Sequence, residues 1–281
     1  MSSERVNSDE LIAFAESLAD EARTILYAAN ASPTDIQYKA DDSPVTDLDR
    51  RIEARLRALI DDRYPEHGIL GEEHGSRDLD AELVWVLDPI DGTAPFIAGI
   101  PVYGTLIGLA RRGRPFIGVI DHPATDDRWV GLAGSFARHN GRAVHSRRCE
   151  RLADAFVTNS NPDFFSSDEM SAFTALKSRV RYVQYGGSCY AYAVLASGRT
   201  DIGLDAKLDT FDVFAPAAVI EGAGGMVSDW SGKGIDLQWQ GRILAAGDPR
   251  MHAQALSALD EGLLQKSEQL SKSTSKRSPD L

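Results

Sequence analysis

An apolar run that ends in two acids constrains this chain more than any other feature. Leu83-Val-Trp-Val-Leu87 contains no polar residue and does not alternate, which predicts a short strand buried on both faces. Asp88-Pro89 follows it at once, and then Ile90-Asp91-Gly92-Thr93. Carboxylates beside a buried strand lose hydration, and this is costly unless they are paired or bind a cation. The segment therefore predicts a buried sheet with an acidic site at the end of one strand.

Composition sets the class of protein. The chain has 281 residues, of which 43% are hydrophobic and 26% charged, so it is long enough to bury a large globular core. A net charge of −12 argues against a nucleic-acid or anionic-membrane partner, because such partners need a basic surface. No signal peptide is visible, and no apolar run approaches the roughly 20 residues that span a bilayer. We expect a cytoplasmic protein whose two cysteines, Cys149 and Cys189, are reduced.

Hydrophobic periodicity predicts a mixed α/β chain. Helical spacing is expected over residues 9–29, with Ser8 as N-cap, and again after Thr46. Strand-like runs separated by Gly and Pro predict an antiparallel meander over 103–110, 116–121 and 128–132. Beyond residue 150, strands and helices alternate, as is typical of an α/β unit. The predicted strands there are 155–158, 181–184 and 201–204, and the predicted helices are 167–177, 189–196 and 213–222.

These patterns divide the chain into two halves and a tail. Residues 1–150 are predicted to form an N-terminal α+β half and residues 151–264 a C-terminal α/β half. Residues 265–281 are polar and rich in Ser and Lys, which predicts a disordered tail.

Two further acidic positions lie beside apolar segments. Glu72 and Glu73 follow the apolar pair Ile69-Leu70, and Asp212 stands between Phe211 and an apolar stretch. Carboxylate oxygens are the ligands that Mg²⁺ prefers. Pro89 and Gly92 allow a tight turn in which Asp88 and Asp91 converge, with the Ile90 carbonyl free to join them. The amides of Gly92 and Thr93 would then form an anion cradle.

Each acid also has a simpler explanation. Glu72 and Glu73 fit solvated loop acids, Asp212 fits a helix N-cap, and Asp88 fits a strand end. Asp49 and Glu53 lie at i and i+4 of the second predicted helix, where they fit a solvent-facing pair or partners of Arg50 or Arg57.

Five motifs in order decide between these readings. They are Lys39 with Ser43-Pro-Val-Thr46 and Asp49, Gly71-Glu-Glu73, Trp85–Thr93, Phe211-Asp212, and Glu221-Gly-Ala-Gly-Gly225. Together they resemble the inositol monophosphatase superfamily, over about residues 8–262. The resemblance implies a layered α/β/α/β/α sandwich, and a small-molecule phosphate monoester cleaved by in-line attack of water. It also implies a homodimer.

The resemblance assigns metal and catalytic roles at the matching positions. It implies two to three Mg²⁺ ions per site. Glu72, Asp88 and the Ile90 carbonyl would hold the first, Asp88, Asp91 and Asp212 the second, and a weaker third would lie near Glu72. Thr93, paired with Asp49, would help to deprotonate the attacking water, and Glu72 would take part in catalysis.

It also assigns the substrate side. The amides of Gly92 and Thr93 would hold phosphate, and Asp205 would contact hydroxyl or amino groups of the substrate. Tyr185-Gly-Gly-Ser-Cys-Tyr-Ala-Tyr192 resembles the histidinol-phosphatase branch, placing Gly187 and Ser188 at the substrate. That branch usually has Asp where this chain has Ser188, and the acid would suit a cationic amine.

Three hypotheses follow for the function. The first is a phosphatase acting on histidinol phosphate or a similar amino-alcohol phosphate. The second is a phosphatase for inositol monophosphate or a related sugar or nucleotide phosphate. The third is a metal-binding scaffold without catalysis, against which the intact acidic set argues.

Overall fold

The computed structural model describes residues 7–29, 35–39 and 44–275, with side chains through residue 264. The helices are α1 (Ser8–Ala28), α2 (Asp47–Arg63), α3 (Thr93–Ala98), α4 (Ser167–Lys177), α5 (Ser188–Ala196), α6 (Thr210–Gly222) and α7 (Pro249–Ser275). The first strands are β1 (Ile36–Tyr38), β2 (Pro44–Thr46), β3 (Gly68–Gly71), β4 (Gly75–Arg77), β5 (Leu83–Asp91), β6 (Gly104–Arg111), β7 (Arg114–His122) and β8 (Asp127–Leu132). They are followed by β9 (Phe136–His139), β10 (Arg142–Val144), β11 (Phe156–Asn159), β12 (Tyr182–Tyr185), β13 (Ile202–Leu208), β14 (Met226–Ser228) and β15 (Gly241–Ala246).

Two large sheets and three helical layers alternate, and β1 and β2 pair separately as a two-stranded sheet. The larger sheet has eight strands in the order β10-β9-β8-β7-β6-β5-β3-β4, and the smaller has five in the order β12-β11-β13-β15-β14. Helices α1 and α2 cover one face of the larger sheet. Helices α5 and α6 lie between the two sheets, and α4 and α7 cover the outer face of the smaller one. The predicted α/β/α/β/α sandwich and its antiparallel meander are confirmed.

Several boundaries differ from those predicted. Asn7, not Ser8, caps α1, since its extended backbone lets its side chain accept from the Glu10 amide. Strand β5 continues past Pro89, because a bulge between Asp88 and Asp91 absorbs the missing N–H and pairing resumes at Asp91.

One helix begins earlier than predicted, and another, which was not predicted, extends into the tail. Helix α6 begins at Thr210 rather than at residue 213, because the capping box of Asp209 and Asp212 adds a first turn. Helix α7 includes residues 265–275 of the tail predicted to be disordered, a stretch with several good helix formers. Residues 276–281 and Ser43 lie outside the described residues.

A row of glycines brings α6 down onto the larger sheet. Gly108, Gly118 and Gly131 lie directly opposite one another on the adjacent strands β6, β7 and β8. A Cβ atom at Gly118 would lie 2.2 Å from the carbonyl oxygen of Ala215, and one at Gly131 would lie 2.5 Å from the Cα of Val219. The backbone of α6 therefore rests on the sheet at a distance that side chains would prevent. This contact fixes the position of the first turn of α6.

The two sheets share one core across the predicted division at residue 150. The cluster between them combines Val84, Val86 and Ile120 of the larger sheet with Val213 and Phe214 of α6. The larger sheet is formed before residue 150 and the smaller one after it. The division into two halves stays a prediction. Among the described residues, no helix combines the length and the apolar character that crossing a membrane requires.

The glycine row yields a test of this packing. Gly118→Ala should lower the free energy of unfolding by about 1–3 kcal/mol, because the added methyl group overlaps backbone atoms of α6. Urea unfolding monitored by circular dichroism measures the change. Gly234→Ala is the matched control, since its nearest neighbour is the far end of the Arg114 side chain at 3.2 Å. Equal stability of the two variants would contradict the close approach of α6.

Candidate active site

Three carboxylates meet where the two sheets approach each other. Asp88 and Asp91 come from the end of β5, and Asp212 from the first turn of α6. One oxygen of each lies within 4.8 Å of the others. Residues three apart on a regular strand point to opposite faces, and the bulge between Asp88 and Asp91 removes that constraint. Thr105 holds the bulge by donating its hydroxyl to the Pro89 carbonyl at 2.8 Å.

Each of the three carboxylates keeps an oxygen for a ligand. Asp91 Oδ2 accepts the backbone amide of Cys189 at 2.8 Å, and Asp212 Oδ2 accepts the amide of Asp209 at 2.6 Å. Asp88 is buried, and its Oδ1 has no hydrogen-bond partner among the described residues. A buried, unpartnered carboxylate oxygen facing two more carboxylates is the donor set of a site for a hard cation. The residues therefore fit Mg²⁺.

Glu72, the fourth carboxylate among the predicted ligands, lies beside this group. Its carboxylate accepts Lys39 Nζ at 2.6 Å, and the same ammonium reaches Glu73 at 2.7 Å. Glu72 is not one of the carboxylates whose oxygens lie within 4.8 Å of one another. The charge of Glu72 nevertheless helps to raise the pKa of Asp88. The structure thus brings Glu72 to the site with its charge balanced by a lysine.

Glu53 holds the loop that carries Glu72, a role that sequence reasoning missed. It is fully buried and accepts the backbone amides of Glu73 at 2.7 Å and His74 at 3.1 Å. Its partner Arg57 donates at 2.7 Å, which confirms one of the two arginine partners considered from the sequence. The signal available in the sequence was only its i+4 spacing from Asp49.

Burial and mutual repulsion make these acids weak. Burial raises the pKa of Asp88 well above its usual range, and the charges of Glu72, Asp91 and Asp212 raise it further. Burial also raises the pKa of Asp212 and, against hydrogen bonds from Cys189, that of Asp91. It raises the pKa of Glu72 to about 7 although Lys39 opposes the shift. A bound cation would relieve this repulsion.

Thr93 and Asp49 do not form the predicted pair. The Thr93 hydroxyl donates to the Ile90 carbonyl at 3.1 Å, while Asp49 Oδ2 accepts the Thr46 amide at 2.8 Å and the Thr46 hydroxyl. The other oxygen of Asp49 is buried and has no hydrogen-bond partner among the described residues. Burial raises the pKa of Asp49 to about 6. Their joint catalytic role remains a prediction.

The starts of α3 and α5 face each other across the site. Gly92, which precedes α3, has φ +78°, and a Cβ atom there would lie 2.8 Å from the hydroxyl of Ser188. Ser188 itself has φ +44° and opens α5 directly after Gly187. The predicted substrate residues Gly92, Thr93, Gly187 and Ser188 are thereby brought together. A pocket of about 570 Å³ opens beside them.

Asp205 lies on β13 of the smaller sheet and is not among the described residues that line this pocket. It is only 2% exposed, and its carboxylate accepts hydrogen bonds from Asn159, Ser160 and Tyr192. Burial raises the pKa of Asp205 to about 6 although the hydrogen bonds from Tyr192 and Ser160 oppose the shift. Direct contact between Asp205 and a substrate remains a prediction.

Cys189 and His122 contact each other immediately behind Asp91. Cys189 Sγ lies 3.5 Å from His122 Nε2, and His122 Nδ1 lies 2.7 Å from the Tyr103 carbonyl, to which it donates. Burial lowers the pKa of His122 to about 4, so the ring is neutral at physiological pH. Neither Cys189 nor Cys149 forms a disulfide. The contact between Cys189 and His122 therefore packs against the start of α5, where the backbone amide of Cys189 donates to Asp91.

Comparison with known proteins identifies the family of this chain. A model of the inositol monophosphatase family matches residues 7–271. The chain belongs to this family. The resemblance drawn from the five motifs is confirmed, and with it the prediction of a phosphoric monoester hydrolase. The family is metal-dependent, typically with Mg²⁺, in agreement with the acidic cluster.

Individual relatives carry different phosphatase names. The chain is 39% identical over 263 residues to the bifunctional phosphatase IMPL2, chloroplastic, of Arabidopsis thaliana, covering 90% of this chain and 75% of the relative. It is 32% identical over 208 residues to a histidinol-phosphatase of Chlorobaculum parvum, covering 74% and 80%. The structure of an inositol monophosphatase from Zymomonas mobilis has a TM-score of 0.82 at 37% identity, covering 91% of this chain and 100% of that one.

The raised pKa values predict that Mg²⁺ binding depends on pH. A carboxyl with a raised pKa holds its proton at a pH where an ordinary one is ionised, and the cation must displace that proton. The affinity for Mg²⁺ should therefore fall as the pH is lowered from 8 to 5.5, through the pKa of about 7 of Glu72. Isothermal titration calorimetry without substrate measures it. Glu72→Gln should flatten the dependence between pH 5.5 and 7, and an affinity constant over the whole range would contradict the assignment.

Proposed function

We propose that this protein is a Mg²⁺-dependent phosphomonoesterase that hydrolyses a small phosphate monoester with an attacking water molecule. The observation that carries the proposal is the convergence of Asp88, Asp91 and Asp212, with an unpartnered buried oxygen on Asp88. Family membership supports it. In the reaction, a water oxygen forms a bond to phosphorus, the bond from phosphorus to the ester oxygen breaks, and the alcohol leaves.

The ligands are assigned from the donors that the chain presents. Asp88, Asp91, Asp212, Glu72 and the Ile90 carbonyl would hold two to three Mg²⁺ ions. When bound, these ions acidify water and neutralise the charge on phosphate and on the leaving oxygen. The Cys189 thiol contacts the His122 ring, and the His74 ring lies 3.5 Å from the carboxylate of Glu53, and these engagements favour attack by water over covalent catalysis.

The remaining residues hold the substrate and the proton. Asp49 Oδ1 is buried and unpartnered among the described residues, so it is available as an acceptor for the proton of the attacking water. The Thr93 hydroxyl, on the turn between β5 and α3, would orient that water. The amides of Gly92 and Thr93, at the left-handed turn, would bind the phosphate oxygens.

Histidinol phosphate, or a similar amino-alcohol phosphate, is the first candidate substrate. The segment from Tyr185 to Tyr192 and the name of the Chlorobaculum parvum relative support it. Inositol 1-phosphate, or a related sugar or nucleotide phosphate, is the alternative, supported by the name of the Zymomonas mobilis structure. Homodimer formation, a cytoplasmic location and a role in histidine biosynthesis belong to the same proposal.

Hydrolysis of para-nitrophenyl phosphate tests the proposed chemistry. The wild-type protein should release phosphate with Mg²⁺ and lose this activity with a chelator. Asp88→Asn should abolish turnover because it removes one of the carboxylates proposed to hold Mg²⁺. In the absence of metal, Asp88→Asn should be at least as resistant to thermal unfolding as the wild type, because a neutral amide removes the repulsion between residue 88 and the neighbouring carboxylates.

Two outcomes separate the alternatives. Full activity of Asp88→Asn would refute the metal assignment. Tight Mg²⁺ binding without turnover of any ester would leave only the scaffold hypothesis.

Steady-state assays with histidinol phosphate and inositol 1-phosphate distinguish the two candidate substrates. We expect the larger kcat/KM with histidinol phosphate, and a large preference for inositol 1-phosphate would refute this choice. Ser188→Asp restores the acid that is usual in the histidinol-phosphatase branch and should lower KM for the ester with an ammonium group. Ser188→Asn is the control, since it matches the size of Asp without its charge.

A further inference from the structure

The carboxylate of Asp205 is fully engaged within the protein. Its Oδ1 accepts Asn159 Nδ2 and the Ser160 amide, both at 2.8 Å. Its Oδ2 accepts the Tyr192 hydroxyl at 2.7 Å and the Ser160 hydroxyl at 3.1 Å. Four donors on a side chain with 2% exposure leave little of its charge directed outward.

Ser160 connects Asp205 to the pocket beside the turn at Gly92 and Thr93. Ser160 lines that pocket together with Ser188, whereas Asp205 and Tyr192 are not among the described residues of its wall. The Ser160 carbonyl accepts the Gly186 amide at 3.1 Å, and Gly186 precedes the start of α5 that faces Gly92. A continuous set of contacts therefore runs from Asp205 through Ser160 to the position proposed for phosphate.

We propose that Asp205 is a positioning residue that acts through Ser160, and that uncharged groups, the hydroxyls of Ser160 and Ser188, meet the alcohol part of the substrate. This inference rests on the proposed phosphatase function. It replaces the direct contact between Asp205 and the substrate that the sequence predicted. A substrate amine, imidazole or hydroxyl can form a hydrogen bond with such groups, so the alcohol side binds its leaving group by hydrogen-bond geometry rather than by charge.

The burial of Tyr192 supports the positioning role. Its side chain is 4% exposed and lies between Asp205 and the core of α5. A hydroxyl buried there needs an acceptor, and Asp205 Oδ2 provides it. Gly203, two residues before Asp205 on β13, leaves room for the Tyr192 ring, since a Cβ atom there would lie 2.9 Å from Cε1. The local packing is thus built around this contact.

Asp205→Asn separates positioning from recognition of charge. The amide has the shape of the carboxylate and still accepts from the Ser160 amide, while the two hydroxyls must reorient. We expect KM to rise by about 3- to 10-fold, as for one weakened hydrogen bond, with kcat within about twofold of the wild type. The rise should be equal within about threefold for histidinol phosphate and inositol 1-phosphate.

A double-mutant cycle with Ser160→Ala tests the connection. If Asp205 acts through Ser160, the double variant should have nearly the KM of Ser160→Ala alone. Gln184→Ala, at an exposed residue of the same pocket wall, is the control, and its effect should add to that of Asp205→Asn. Circular dichroism and thermal unfolding of each variant establish that it is folded.

Two results would overturn the inference. One is a loss upon Asp205→Asn confined to the ester that carries an ammonium group, which shows direct recognition of charge. The other is full additivity with Ser160→Ala. Failure of the underlying function looks different, because the wild-type protein would then show no Mg²⁺-dependent release of phosphate from any ester.

Discussion

The approach of α6 to the larger sheet positions the whole site. Three glycines opposite one another on β6, β7 and β8 let the helix backbone rest directly on the strands. Side chains there would hold α6 farther away by the length of a methyl group or more, and Asp212 with it. Asp88 and Asp91 come from β5, the next strand of that sheet. The distance between the carboxylates is therefore set by backbone packing, which is stiffer than any side-chain contact.

Rigid packing is needed because bringing the carboxylates together costs free energy. Burial raises the pKa values of Asp88, Asp91 and Asp212, and repulsion from neighbouring carboxylates raises those of Asp88 and Asp212 further, so a bound cation would stabilise the group. Two of the carboxylates are held from behind by backbone amides, those of Cys189 and Asp209. These amides orient one oxygen and leave the other for a ligand. Positioning by the backbone thus prepares the site before metal arrives.

The sequence predicts most of the fold because its local signals agree. The apolar run before Asp88, the Gly-punctuated meander and the helical spacing after Thr46 each predict an element that the structure contains. It predicts the identity of the acids because their motifs occur in order. The contacts that hold these acids in place cannot be predicted from the local sequence. Glu53 and Glu73 are 20 residues apart in the chain, and His122 and Cys189 are 67 apart. The bulge after Asp88 is equally hidden, because Pro89 alone indicates an interrupted strand.

Asp205 shows why residue type alone cannot assign a contact. An acid seven residues before a metal ligand, at the end of a strand, is a reasonable partner for a substrate amine. In the structure, Asn159, Ser160 and Tyr192 donate to its two oxygens, and these contacts are why we propose a positioning role for Asp205. On the proposed assignment, the phosphate side of the site is highly charged, and the alcohol side is lined by hydroxyls and aromatic rings. Charged groups would then hold the phosphate, while neutral groups would bind the alcohol through hydrogen bonds. Such a division would let the leaving group change without rebuilding the metal site.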